Sequence, residues 1–120
     1  MRLARAMIFV KDLNRMTAFY AGTLGLKLIE ETRMDNWVEF EAGFSLHAIP
    51  PQVAAQIEIS APPRPRETSP IKLSFEVDDV VLERKRLESL GVAIIKRPWG
   101  AYDGVDPEGN VFGIVSSSSY

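Results

Sequence analysis

The chain has no cysteine and a single histidine, His47. The first absence excludes a disulfide framework, a thiolate metal site and a thiol nucleophile. An excess of basic charge is missing too, since 14 Lys and Arg stand against 16 Asp and Glu. That balance argues against a nucleic-acid partner, whose phosphates call for a basic surface. No apolar run approaches the roughly 18 residues of a membrane span. The opening Met1-Arg2-Leu3-Ala4-Arg5 leads to Lys11 and Asp12 too soon for a secretory core, so the expected compartment is the cytoplasm. No dinucleotide-type glycine loop, Gly-x-Ser-x-Gly or His-Glu-x-x-His is found.

What remains is ordinary globular material: 120 residues, 46% apolar and 25% charged. This is one domain's worth of chain, able to bury roughly two-thirds of its unfolded surface without covalent staples. Two similar halves stand out within it. Ile8-Phe9-Val10-Lys11-Asp12-Leu13 leads to Leu24-Gly25-Leu26, and Ser74-Phe75-Glu76-Val77-Asp78-Asp79-Val80 leads to Leu90-Gly91-Val92. Each half reads strand, Asp, helix, Leu-Gly, strand. Between them, 61–70 carries four prolines, which sustain neither a helix nor an interior strand. The expected organisation is a first module over 1–60, an extended linker over 61–70, a second module over 71–116 and a Ser-rich tail over 117–120.

In the first module the spacing predicts a strand over 4–10, then a helix capped by Asp12 with Leu13, Met16, Tyr20 and Leu24 inward. Strands follow near 26–32, 36–41 and 44–49, the last two joined at Ala42-Gly43. The second module repeats the order. A strand over 71–77 precedes a helix over 80–90, capped by Asp79, with Val80, Leu87 and Leu90 inward. Glu83 and Arg84 fall where that stripe calls for apolar groups. Strands near 92–97, 101–105 and 110–115 close the module, the last two joined by Asp106-Pro107-Glu108-Gly109-Asn110. The fold class is α+β, βαβββ twice. Period-two alternation packs Ala6, Ile8, Val10, Ile71, Leu73, Phe75 and Val77 on helices. It leaves Arg5, Met7, Phe9, Trp37, Glu39, His47, Lys72, Ser74 and Glu76 on the other side.

Taken together, Val10-Lys11-Asp12-Leu13, Phe19-Tyr20-Ala21-Gly22-Thr23-Leu24-Gly25-Leu26, Ser74-Phe75-Glu76-Val77-Asp78-Asp79, Leu90-Gly91-Val92, Trp99-Gly100 and Asp106-Pro107-Glu108-Gly109-Asn110 resemble the glyoxalase, bleomycin-resistance and extradiol-dioxygenase superfamily. The resemblance implies paired βαβββ modules curled around a shared cavity, commonly in homodimers. It also implies four metal-ligand positions, which in this chain hold Arg5, His47, Lys72 and Gly113. Only the imidazole is a suitable ligand, so no metal and no cofactor are expected.

Arg5, His47 and Lys72 are then expected to converge. Two cations near an imidazole suit an anion, held bidentately by Arg5 and by Lys72 as a point charge. The competing reading is internal, with Glu39 or Glu76 neutralising the cations. His47 is either a hydrogen-bonded structural residue or a general acid–base, and Glu39 is a conceivable base. Trp37, Trp99 and Tyr102 offer flat surfaces for a ligand, or else serve as core, dimer contact or loop anchor. The ligand-binding set expected from sequence is Arg5, Phe9, Trp37, Glu39, Lys72, Ser74, Trp99 and Tyr102. Three functions follow: a metal-independent binder of a small planar or anionic molecule, a lyase or isomerase acting on an α-oxo or enolisable compound through His47, or a non-catalytic regulatory domain.

Overall fold

In a computed structural model of the chain, the structure describes residues 1–117. Apart from Ser117, the Ser-rich tail expected over 117–120 lies outside the described residues. The chain divides into two compact units, Met1–Glu58 and a second that begins at Ile59.

The first unit opens with strand β1 (Ala6–Val10) and helix α1 (Leu13–Thr17). Asp12 caps the helix by accepting the Arg15 N–H at 3.0 Å. Helix α1 then widens into a π-helix, Ala18–Thr23, whose turn closes from Leu24 N–H to the Phe19 carbonyl at 2.9 Å. The α-helical period predicted Met16 and Tyr20 inward, and both are buried. The wider turn accommodates Phe19 on the inner side as well. Strands β2 (Trp37–Phe40) and β3 (Phe44–Ala48) complete a three-stranded sheet in the order β1-β3-β2. β3 runs parallel to β1 and antiparallel to β2. The loop between β2 and β3 holds Ala42 and Gly43 at φ +72° and +75°.

The strand expected over 26–32 does not form as such. Its first part lies along β2, with Ile29 N–H on the Glu39 carbonyl and Glu41 N–H on the Lys27 carbonyl. A 3-10 turn at Glu30–Thr32 then bends the chain off the sheet. A four-residue helix that periodicity could not signal, α2 (Pro51–Ala54), follows β3. Stacked and edge-on rings fill the core: Tyr20 meets Phe44 at 5.1 Å and Phe40 stacks on Phe44 at 5.5 Å.

The second unit repeats the opening. Strand β4 (Leu73–Glu76) leads to helix α3 (Val80–Ser89), where Asp79 accepts the Leu82 N–H at 3.0 Å. Strands β5 (Ile94–Lys96), β6 (Tyr102–Val105) and β7 (Val111–Val115) give a four-stranded sheet in the order β4-β7-β6-β5. β4 runs parallel to β7, and the remaining pairs are antiparallel. The Asp106 carboxylate pins the β6–β7 turn by accepting the N–H groups of Glu108 and Asn110, each at 2.9 Å. Two expectations fail at the margins. Leu90 is exposed because it stands past the end of α3, and Ile71 is exposed because β4 begins two residues later. The proline-rich stretch forms no helix or strand, but Arg66 N–H bonds the Gly109 carbonyl at 2.9 Å.

Candidate functional site

In the first unit, register alone builds a row across three strands: Phe9 pairs with His47, and His47 with Trp37. All three project from the side opposite Ile8, Leu46 and Val38. The imidazole meets the Phe9 ring at 5.3 Å and the Trp37 ring at 5.9 Å, both edge-on. The Arg5 guanidinium lies 5.2 Å from the centre of Trp37, a cation–π distance. Arg5 therefore rests on an aromatic face, where the sequence suggested Glu39 or Glu76 as its partner. Two residues along, on the same face, Met7, Ser45 and Glu39 form the next row. Ser45 Oγ and His47 Nδ1 are buried and have no hydrogen-bond partner among the described residues. Leaving such groups unmet costs about 1–3 kcal/mol each. Ser45 escaped notice in the sequence because a lone serine in a strand carries no signal.

In the second unit the register places Ser74, Gly113 and Asp103 in one row. Asp103 is only 2% exposed and gathers two cations. Lys72 Nζ donates to it at 3.2 Å and Arg97 Nε at 2.8 Å. Arg97 also grips both Glu67 oxygens at 2.8 Å, a fork-on-fork pair. The hydrogen bonds from Arg97 hold the Glu67 carboxyl below its ordinary range, helped by the charges of Arg97 and Lys72. Hydrogen bonding to Glu67 and Asp103 raises the Arg97 guanidinium in turn. Lys72 is thus neutralised by Asp103, a partner neither of the two sequence candidates supplied. The available signal was that Asp103 is the one ionisable acid or base within 101–105 apart from Tyr102. Lys72, Arg97 and Asp103 line a hollow of about 260 Å³, with the exposed Trp99 also on its wall.

Gly113 occupies its place for want of room. A Cβ there would stand 2.7 Å from Ser74 Oγ and 3.5 Å from Asp103 Oδ1. Tyr102 stands apart from this group. It pairs with Ile114 and Lys96 on the helix-covered side, and Arg84 of α3 lies 4.9 Å from its ring centre. Among the described residues, no three His, Asp or Glu side chains gather where they could hold a metal ion. No described helix is long and apolar enough to cross a membrane.

These two sheets, each with a parallel first and last strand and a helix capped by Asp, define a glyoxalase-like fold. The family model of the Glyoxalase/Bleomycin resistance protein/Dioxygenase superfamily matches residues 2–114, and the chain belongs to that superfamily. Its structure is similar to a protein of unknown function from Agrobacterium tumefaciens, at 27% identity and TM-score 0.71 over 98% of this chain and 94% of that one. It is similar to a glyoxalase/bleomycin resistance protein/dioxygenase family enzyme from Burkholderia phytofirmans, at 28% identity and TM-score 0.66 over 97% and 98%. An antibiotic-binding protein from a Streptomyces species shares the fold at 23% identity and TM-score 0.63, over 97% and 95%. No curated protein matches the sequence.

Proposed function

We propose that this chain binds a small planar, anionic molecule on the face of its first sheet that carries Phe9, His47 and Trp37, as a carrier and not as a catalyst. The observation that carries the reading is the Phe9–His47–Trp37 row with Arg5 laid on Trp37. Flat rings offer stacking area, Arg5 offers charge, and the unmet His47 Nδ1 and Ser45 Oγ offer the few polar contacts that fix orientation. A solved structure of the same fold is that of an antibiotic-binding protein.

A bound cation has no part in the proposal. Of the four positions at which the superfamily places ligands, Arg5 is always charged and Lys72 is an ammonium held by Asp103. Gly113 has no donor, and its surroundings leave little space for one. These residues do not fit a divalent ion, which one imidazole would hold weakly.

Isothermal titration calorimetry of the full chain with 2-naphthoate and with the neutral 2-naphthamide tests the reading. The acid is expected to bind and the amide to bind more weakly. Trp37→Ala should weaken the acid by roughly tenfold or more, as truncation of an aromatic anchor does. His47→Ala should weaken it by a smaller factor, since one ring and one polar contact are lost. Turnover of an enolisable α-oxo compound that is lost in His47→Ala would replace the carrier by an acid–base enzyme. No heat with either probe, or stoichiometric Zn, Ni, Fe or Mn in untagged protein, would overturn the proposal.

A further inference from the structure

The helix-covered side of the second unit carries a second feature, independent of the first-sheet reading. A hollow of about 420 Å³ opens between α3 and the edge strand β5, lined by Arg84, Glu88, Val92, Ile94, Lys96 and Tyr102. Its volume falls in the range of small-molecule sites, and its lining is more polar than apolar, with Val92 and Ile94 the aliphatic part. Arg84 stands on the inward stripe of α3 where helical periodicity calls for an apolar residue. Its guanidinium lies over Tyr102 at 4.9 Å, a cation–π distance. Among the described residues its one hydrogen bond runs from Nη1 to Glu88 at 3.0 Å. The Nε is buried and has no partner.

An arginine whose Nη1 is occupied keeps the Nε–Nη2 edge, and that edge takes a carboxylate or phosphate side-on through two parallel hydrogen bonds. Lys96, two residues past Ile94 on the same strand face, adds a second positive charge to the hollow, and Glu88 is already spent on Arg84. We infer that this hollow is an oxyanion site, in which Arg84 and Lys96 hold the carboxylate or phosphate group of a small metabolite against Tyr102. Unmet, the buried Nε–H is a standing cost that such a ligand removes.

The test is amide chemical-shift titration of the full-length, isotopically labelled protein at constant ionic strength, with inorganic phosphate in one arm and acetate in the other. Saturable shifts at Gly91, Val92, Lys96 and Tyr102 are expected in at least one arm, and the arm that responds tells phosphate from carboxylate. Lys96→Gln, an exposed position that leaves the fold intact, should weaken binding roughly tenfold, the worth of one charge-assisted hydrogen bond. Arg84→Gln should abolish it, with unchanged amide shifts elsewhere as the check on folding. Linear shifts with no saturation in both arms, or saturation that neither variant alters, would overturn the proposal.

Discussion

Asp103 shows what a single buried carboxylate does in this chain. Strand alternation on β6 turns it to the side of Ser74 and Lys72, and β5 and its loop bring Arg97 to its other oxygen. Removing it would leave two cations without their shared anion. Asp103→Ala should therefore cost about 1–3 kcal/mol, at the lower end because Lys72 reaches water. Urea unfolding checks this through the shift in midpoint. Glu67 adds a pH dependence. Its folded carboxyl titrates below the unfolded value of 4.5, chiefly through the Arg97 hydrogen bonds. The stabilisation is therefore complete above the unfolded value and is lost as pH falls through the folded one. Unfolding measured from neutral to acid pH should show a shallower decline in Glu67→Gln than in the parent chain. Neither Asp103 nor Glu67 was singled out in the sequence. Their importance arises from partners 6 and 30 residues away from Arg97, distances that local spacing cannot read.

At the scale of elements, local chemistry was legible wherever it was local. Asp12 and Asp79 cap the helices that their spacing predicted, and Gly25 and Gly91 follow those helices at positive φ. The hairpin at Asp106–Asn110 follows from residues that bond to one another. The π-helix after α1 and the broken strand near 26–32 were not legible. Both depend on what the segment meets on the sheet and not on its own pattern. Close approach across the β6–β7 ladder was equally hidden. Gly104 faces Phe112, and a Cβ there would fall 2.3 Å from the ring. Since that ring is itself buried, Gly104→Ala should lower stability by about 1–3 kcal/mol. Thermal melting of the variant measures it, and an unchanged melting temperature would mean the ring turns aside freely.

For the molecule as a whole, the duplicated order of strand, helix and strands was readable because each half carries the same punctuation. The candidate site was readable only in part. Arg5, Phe9, Trp37 and His47 come together because alternation and register are simple rules, whereas Tyr102 takes the helix side, where Arg84 and Lys96 await it. The two units also differ in how they are held. The first buries an aromatic cluster around Tyr20, Phe40 and Phe44. The second buries Asp103, Asp106 and Glu108 beside fewer large apolar side chains. Amides of β3 should accordingly outlast those of β6 in native-state hydrogen exchange, because the slowest protection follows apolar burial. Equal protection in the two strands would mean that the units open only together.

The two tryptophans fall one to each unit and in opposite surroundings. Trp37 is half-buried, wedged against an imidazole and a guanidinium, while Trp99 is 72% exposed on its loop. Acrylamide should therefore extinguish the red-shifted emission of Trp99 first. A Trp99→Phe chain would leave one fluorophore seated within the aromatic row, an optical reporter that needs no attached dye.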